Sequence, residues 1–147
     1  MANKVKAINS GVTVAVVDTG VDPTVPNVSG KFLYNSQLRR NCGVSSLSGW
    51  DFVENDSLPQ DEQGHGSAVI GIIAEELTAN GIDFQILPIK AFGGDGRGSL
   101  FNIACALQYA INNDDVDIIN MSFGWYYNNS EILSELLDEA GATKVLV

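Results

Sequence analysis

The chain has 147 residues, of which 45% are hydrophobic, and a formal net charge of −10 at pH 7. This composition supports a buried core and excludes global disorder. The negative charge argues against nucleic acid and anionic membranes as partners, and no apolar run approaches the roughly 20 residues that cross a bilayer.

The first half of the chain predicts two strands and one helix around a long loop. Residues 12–17, VTVAVV, are β-branched or apolar throughout, as in a strand that is buried on both faces. Residues 23–59 are rich in Gly, Asn, Ser and Pro and predict a loop with one short strand near residues 49–53. Apolar residues at helical spacing predict a helix over residues 64–80.

The second half continues the alternation of strands and helices. Strands are predicted at residues 84–89, 116–121 and 144–147, and helices run from the Ser99 cap to about Asn112 and from the Ser130 cap to Gly141. This order is typical of an α/β domain with a parallel sheet. Ligands of such sheets collect at the carboxyl ends of the strands.

The cysteines and the histidine exclude one class of site. Cys42 and Cys105 stand in no CxxC pattern, and His65 is the only histidine. A zinc site of the usual composition is therefore not expected. Cys105 falls in the second predicted helix and is interpreted as a small core residue. The sequence leaves open whether Cys42 and Cys105 form a disulfide.

Two residues have a sequence context that suits acid–base chemistry. Asp18 ends the first strand, where a rigidly held carboxylate can orient a histidine. An Asx turn after the strand is the alternative for Asp18. His65 lies between two glycines at a helix start, where the helix dipole favours a neutral, basic imidazole. For His65 the alternative is a capping or surface histidine.

Three motifs in this order resemble the subtilase family of serine proteases. The segment VTVAVVDTGVD, residues 12–22, resembles the aspartate motif of the family, and DEQGHGSAVIGIIA, residues 61–74, resembles its histidine motif. The segment IINMSFG, residues 118–124, resembles the strand and loop beside the substrate cleft. The resemblance runs from Val12 to Val147 and covers about the first half of the family's catalytic domain.

The resemblance implies a fold and a set of roles. The fold is a three-layer, subtilisin-like α/β fold with a mostly parallel sheet, truncated after about the fifth strand. Asp18 is expected to orient His65, and His65 to act as general base and then as general acid. Residues 96–98 are expected to pair with a substrate backbone, residues 122–124 to line the other side of the channel, and Leu100 to lie near a side-chain pocket. The implied substrate-binding residues are Gly96, Arg97, Gly98, Leu100, Ser122, Phe123 and Gly124.

One part of the family pattern is missing from the sequence. No serine stands in the Gly-Thr-Ser-x-Ala-x-Pro context that carries the family's nucleophile. The expected function is therefore a serine-type endopeptidase whose residues 1–147 are inactive alone, with a peptide or protein as substrate. The alternative is a non-catalytic half-domain that binds extended peptides.

The remaining expectations concern metals, nucleotides, assembly and location. No cofactor and no tightly bound metal are expected, because Asn27 stands where the family has a calcium-ligating aspartate and residues 114–117 lack EF-hand spacing. The glycine-rich residues 93–98 match neither GxGxxG nor a P-loop. Self-association through the last strand, near Val147, is expected. The sequence suggests a cytoplasmic protein, or a secreted one whose leader has been removed.

Overall fold

The computed structural model describes residues 11–33, 49–124 and 130–142. The elements follow one another as strand, strand, helix, strand, helix, strand, helix. In chain order they are β1 (Val12–Asp18), β2 (Trp50–Asp51), α1 (His65–Ala79), β3 (Phe84–Lys90), α2 (Leu100–Ile111), β4 (Ile118–Asn120) and α3 (Glu131–Ala142).

The described strands form one parallel sheet in the order β2-β3-β1-β4. β1 pairs with β3 along its whole length, from Val12 beside Phe84 to Asp18 beside Lys90. Its other edge pairs with β4, and β2 extends the sheet beside the end of β3. The prediction of an α/β fold with a parallel sheet is confirmed. All strand ends therefore face the same edge of the sheet.

Helices cover both faces of this sheet and give the predicted three layers. On β1, Val14 and Val16 belong to one apolar cluster with Ile70 of α1. The alternate residues of the strand belong to a second cluster with α2 and α3. Because both faces are buried, β1 needs β-branched or apolar residues at every position, which explains the run VTVAVV with Thr13 as its one polar residue. Each fully buried Val, Leu or Ile side chain stabilises the fold by roughly 1.5–3 kcal/mol.

The two central strands each run one residue further than the sequence predicts. β1 includes Asp18 and β3 includes Lys90, and both residues are only 2% exposed. The polar ends of these strands are therefore part of the buried structure. Pro88 lies within β3, on the edge where Ile86 donates to Lys31 and where β2 begins to pair only at Ile89. The missing N–H of Pro88 faces the stretch between these two contacts, so a proline is tolerated.

The helix starts follow the predicted caps. The Ser99 hydroxyl accepts from the Asn102 N–H at 3.0 Å and begins α2, and the Ser130 hydroxyl accepts from the Leu133 N–H at 3.4 Å before α3. β4 is shorter than the predicted strand at residues 116–121.

Some predictions fall on residues that the structure does not describe. Cys42, and with it a disulfide to Cys105, lies outside the described residues, as does the predicted strand at residues 144–147 with its self-associating edge. Cys105 itself is only partly buried in α2, so it packs beside the core and not within it. None of the helices in the described ranges combines the length and apolarity that a bilayer crossing requires.

Candidate active site

Asp18 is held at the carboxyl end of the central strand β1. Its backbone carbonyl accepts from the N–H of Ala91 at 2.9 Å, just beyond the end of β3. Its side chain is 3% exposed, and one carboxylate oxygen accepts from the Thr19 N–H at 2.7 Å. The carboxylate therefore has a fixed position, because the sheet fixes its backbone and burial limits its rotamers.

His65 is the first residue of α1, and the glycines around it serve different purposes. Gly64 caps the helix with φ of +100°, a conformation that strains other residues, although a Cβ there would meet nothing. A Cβ on Gly66 would lie 2.3 Å from the carbonyl oxygen of Gly20. Gly66 therefore lets the loop after β1 approach the start of α1 closely enough for Asp18 to reach His65.

The structure brings Asp18 and His65 together. The imidazole Nδ1 lies 2.8 Å from one carboxylate oxygen of Asp18 and 3.0 Å from the other. The two side chains differ in exposure, 3% for Asp18 and 48% for His65. The carboxylate is thus closed to solvent while part of the imidazole is open to it.

This arrangement has one direct chemical consequence. A carboxylate oxygen accepts hydrogen bonds, so the proton of the neutral imidazole is held on Nδ1 and Nε2 is left with its lone pair. An imidazole in that tautomer can take a proton from an approaching hydroxyl and pass it on. The buried carboxylate stabilises the imidazolium that forms in between.

Asp61 connects the two loops that carry this pair, and the sequence analysis assigned it no role. One carboxylate oxygen accepts from the Thr19 hydroxyl at 2.9 Å and from the Gln63 and Gly64 N–H groups at 3.0 and 2.8 Å. The other oxygen accepts from the N–H and the hydroxyl of Ser67. An aspartate shortly before a helix start is a recognised capping signal, but nothing in the sequence shows that Thr19 docks on it.

These contacts perturb the ionisation of Asp61. Partial burial acts to raise the pKa of its carboxyl. The Ser67 hydroxyl and the N–H groups of Gly64, Ser67 and Gln63 outweigh this, and the pKa lies well below its usual range. The carboxylate form is therefore the form that the folded chain prefers.

Lys90 is a second feature that the sequence analysis missed. It ends β3 beside Asp18, and its ammonium group donates to the Gln60 carbonyl at 2.7 Å. It also lies 3.8 Å from the buried carboxylate of Asp51 and 3.5 Å from the exposed carboxylate of Glu62. A lysine at the end of an otherwise apolar strand is a signal for a buried ion pair, because an unpaired buried charge is unfavourable.

The glycine-rich residues 93–98 form a turn followed by an irregular stretch. The Gly96 N–H donates to the Gly93 carbonyl at 2.9 Å, and the φ of Gly96 is +75°. The Arg97 N–H donates to the Asp95 side chain, so this N–H is already used. Gly98 lies against the backbone of Ala91, where a Cβ would be 2.6 Å from the carbonyl oxygen.

Packing contacts connect Gly98 to the segment that carries the predicted residues 122–124. The Gly98 backbone lies against the Phe92 ring, and Phe92 packs on Phe123 with ring centroids 4.8 Å apart. The Ser122 hydroxyl accepts from the Asn120 amide at 2.9 Å. Gly124 is the last described residue of that segment, and Leu100, 46% exposed, is the first residue of α2. Their roles toward a substrate stay predictions.

A metal site is not apparent in the part of the chain that the structure describes. Within those ranges, no group of three or more His, Cys, Asp or Glu side chains is arranged to hold a metal ion. The expectation of no tightly bound metal stays a prediction.

Comparison with known proteins gives consistent results. Residues 9–147 match the family described as the subtilase family. The chain is 38% identical to the thermophilic serine proteinase of Bacillus sp. strain AK1, over 79% of this chain and 27% of that protein. It is 32% identical to thermitase of Thermoactinomyces vulgaris, over 84% and 41%, and 32% identical to subtilisin BL of Lederbergia lenta, over 94% and 46%. The chain spans less than half the length of these curated relatives.

A solved structure shows the same fold. The crystal structure of a cold adapted subtilisin-like serine proteinase superimposes with a TM-score of 0.70 at 24% identity, over 92% of this chain and 44% of that chain. The predicted subtilisin-like fold is confirmed.

Proposed function

The chain belongs to the subtilase family, and from that premise we propose that it carries the acid and the general base of a serine-type endopeptidase site. The observation that supports this most directly is the contact of the His65 Nδ1 with both carboxylate oxygens of Asp18, at 2.8 and 3.0 Å. A surface or capping histidine would not need a buried carboxylate behind it.

In the proposed reaction, His65 moves one proton twice. Its Nε2 takes the proton of the attacking serine hydroxyl and then gives it to the leaving amine of the cleaved peptide bond. Asp18 holds the ring in the right tautomer and stabilises its cationic form. Asp18 itself stays unprotonated throughout, because its task is orientation and charge stabilisation.

The nucleophile is not among residues 1–147 in the sequence context that the family uses. We therefore propose that these residues do not hydrolyse peptides alone, because the members of such a triad act as a unit and loss of one removes most of the rate. A serine from residues outside this sequence would complete the site.

The proposed substrates are peptides or proteins. The relatives are serine proteinases by name, and the segment at Gly98 offers a place for an extended peptide. Among the described residues, the Gly98 backbone forms no hydrogen bond, so its N–H and carbonyl are available to a further strand. This availability also favours a second candidate function, a non-catalytic half-domain that binds extended peptides.

The acid–base pair can be tested by nitrogen-15 NMR of the imidazole, since His65 is the only histidine and gives a single pair of ring signals, one from Nδ1 and one from Nε2. We expect the wild-type ring to carry its proton on Nδ1, with a hydrogen-bonded, downfield proton signal. In Asp18→Asn the tautomer bias should be lost, because the one amide oxygen already accepts from the Thr19 N–H and the NH2 group would present a donor to Nδ1. Asp22→Asn is the matched control, because Asp22 is exposed and its side chain accepts hydrogen bonds from Thr24 and not from His65. A His65 spectrum unchanged by Asp18→Asn would refute the pairing.

Activity and binding separate the two candidate functions. A fluorogenic peptide should not be hydrolysed by the 147-residue chain, and turnover that His65→Ala abolishes would contradict the proposed inactivity. Calorimetric titration with an extended peptide should give binding that Gly98→Pro removes and His65→Ala preserves. If Gly98→Pro leaves the affinity unchanged, the pairing role of this segment is wrong.

A further inference from the structure

We propose that Asp61 is a positioning residue for the Asp18–His65 pair, acting through its hydrogen bonds to Thr19 and to the first turn of α1. This inference rests on the proposed function, since it concerns the same pair. Asp61 touches neither Asp18 nor His65 in the described contacts. It acts instead on the residue that follows Asp18 and on the residues that flank His65.

On the Asp18 side, Thr19 links the Asp18 carboxylate to Asp61. Thr19 is 4% exposed and its N–H donates to the Asp18 carboxylate, so the conformation of Thr19 and that of the carboxylate are linked. The Thr19 hydroxyl donates to Asp61 at 2.9 Å and accepts from the Gly66 N–H at 2.9 Å. One buried hydroxyl thus joins both loops, directly at Gly66 and through Asp61.

On the His65 side, Asp61 holds the residues before and after His65. The Gly64 N–H donates to one oxygen of Asp61 at 2.8 Å, and the Ser67 N–H donates to the other at 2.9 Å. His65 lies between these two anchored residues. The Ser67 hydroxyl also donates to Asp61 and accepts from the Asp22 N–H at 2.9 Å, which is a second link to the loop after β1.

The donors around Asp61 require a carboxylate at this position. Five donors converge on the two oxygens of one carboxylate, which has about four acceptor positions. An asparagine offers only one acceptor oxygen, and its NH2 group would face donors on the other side. The depressed pKa of Asp61 is consistent with this set of donors, since they all favour the charged form.

The proposal predicts a defect at His65 without general unfolding. In Asp61→Ala and in Thr19→Val, the proton on the His65 Nδ1 should exchange with water on the order of ten-fold faster than in wild type, because the hydrogen bond to Asp18 opens more often. The tautomer bias should weaken as well. Asp61→Asn, which keeps one acceptor oxygen, should give an intermediate rate.

Controls separate positioning from stability. Asp22→Ala removes a carboxylate from the same loop and should leave the Nδ1 signal as in wild type, because among the described residues the Asp22 side chain accepts hydrogen bonds from Thr24 alone and its charge opposes that of Asp61 without bonding to it. Circular dichroism on each variant reports whether the fold is retained. If Asp61→Ala does not fold, Asp61→Asn decides, since it keeps the shape of the Asp61 side chain and leaves the direct contact of Thr19 with Gly66 in place.

The outcomes are distinguishable. Faster Nδ1 exchange in folded Asp61 and Thr19 variants, with wild-type behaviour in Asp22→Ala, supports the proposal. Unchanged Nδ1 exchange in those folded variants overturns it and leaves Asp61 as a helix cap only, while the Asp18–His65 pair stands. If Asp18→Asn itself leaves the His65 spectrum unchanged, the proposed function and this inference both fail.

Discussion

Two buried carboxylates lie at the same edge of the sheet, and each faces a different kind of partner. Asp18 ends β1 and Asp51 ends β2, each 2% exposed, with Lys90 of β3 between them in the register. Asp51 faces the ammonium group of Lys90, and its other oxygen accepts from the Val53 and Glu54 N–H groups. Asp18 faces an imidazole that is half exposed. Both carboxylates have the same position on the sheet, so we expect the partner to decide whether each contributes to stability or to the proposed chemistry.

The largest expected effect is on the Asp51 side. Lys90→Met leaves the Asp51 carboxylate buried without its cation and should destabilise the chain by about 3–5 kcal/mol. Urea unfolding followed by circular dichroism measures this change. Adding Asp51→Asn to Lys90→Met should restore part of the loss, because no buried charge then remains. If Lys90→Met alone is as stable as wild type, the Lys90–Asp51 pair does not stabilise the fold.

A smaller effect is expected where the two loops of the Asp18 side meet. Gly66→Ala places a methyl group 2.3 Å from the Gly20 carbonyl, and the backbone shift that relieves it should cost about 1–3 kcal/mol. The same substitution at Gly71, where the nearest atom to an added Cβ is 3.4 Å away on Val25, is the control within α1. Equal stability of the two variants would argue against close approach at Gly66.

The free energy of unfolding at acid pH should depend on Asp61. Its folded pKa lies below the unfolded value of about 3.9, so its contribution is present above about pH 4 and is lost as the pH falls through the folded value. After allowance for solvent screening we expect about 1 kcal/mol. The stability gap between wild type and Asp61→Asn should therefore narrow in urea titrations from about pH 7 to about pH 3. A constant gap would contradict the depressed pKa.

The smallest effect is expected from removal of the imidazole. His65→Ala should change stability by less than about 1 kcal/mol, because the ring is half exposed and water can take its place beside Asp18. The contrast with Lys90→Met is the direct test of the comparison. If both variants lose stability equally in urea, the Asp18–His65 pair is as structural as the Lys90–Asp51 pair.

Much of the architecture was predictable because it depends on local patterns. The apolar runs at β1 and β3 and the Ser99 cap are readable along the chain, and both faces of the sheet are covered as those runs indicate. The pairing of Asp18 with His65 was predictable for a different reason. It came from the order of two family motifs, not from any property of the residues between them.

The contacts that the sequence did not reveal depend on sheet order. β2 pairs with β3, and β3 with β1, so Lys90 stands between Asp51 and Asp18. No local pattern encodes that order. The docking of Thr19 on Asp61 likewise joins two loops that meet only when β1 and α1 are packed. A sequence shows that a charged residue ends an apolar strand, but the neighbouring strand determines its partner.

The parallel pairing of β1 with β3 also has a consequence for how the chain folds. Val12 must find Phe84, and the residues between them include β2 and all of α1. Closing so long a stretch of chain has an entropic cost that must be met before the contacts form, and topologies of this kind fold slowly. His65 begins α1, which lies within the stretch of chain that this closure brings back against β1 and Asp18. We therefore expect the hydrogen bond between Asp18 and His65 to form late in folding, after the sheet is assembled, so that partly folded chains contain no organised proton-transfer site.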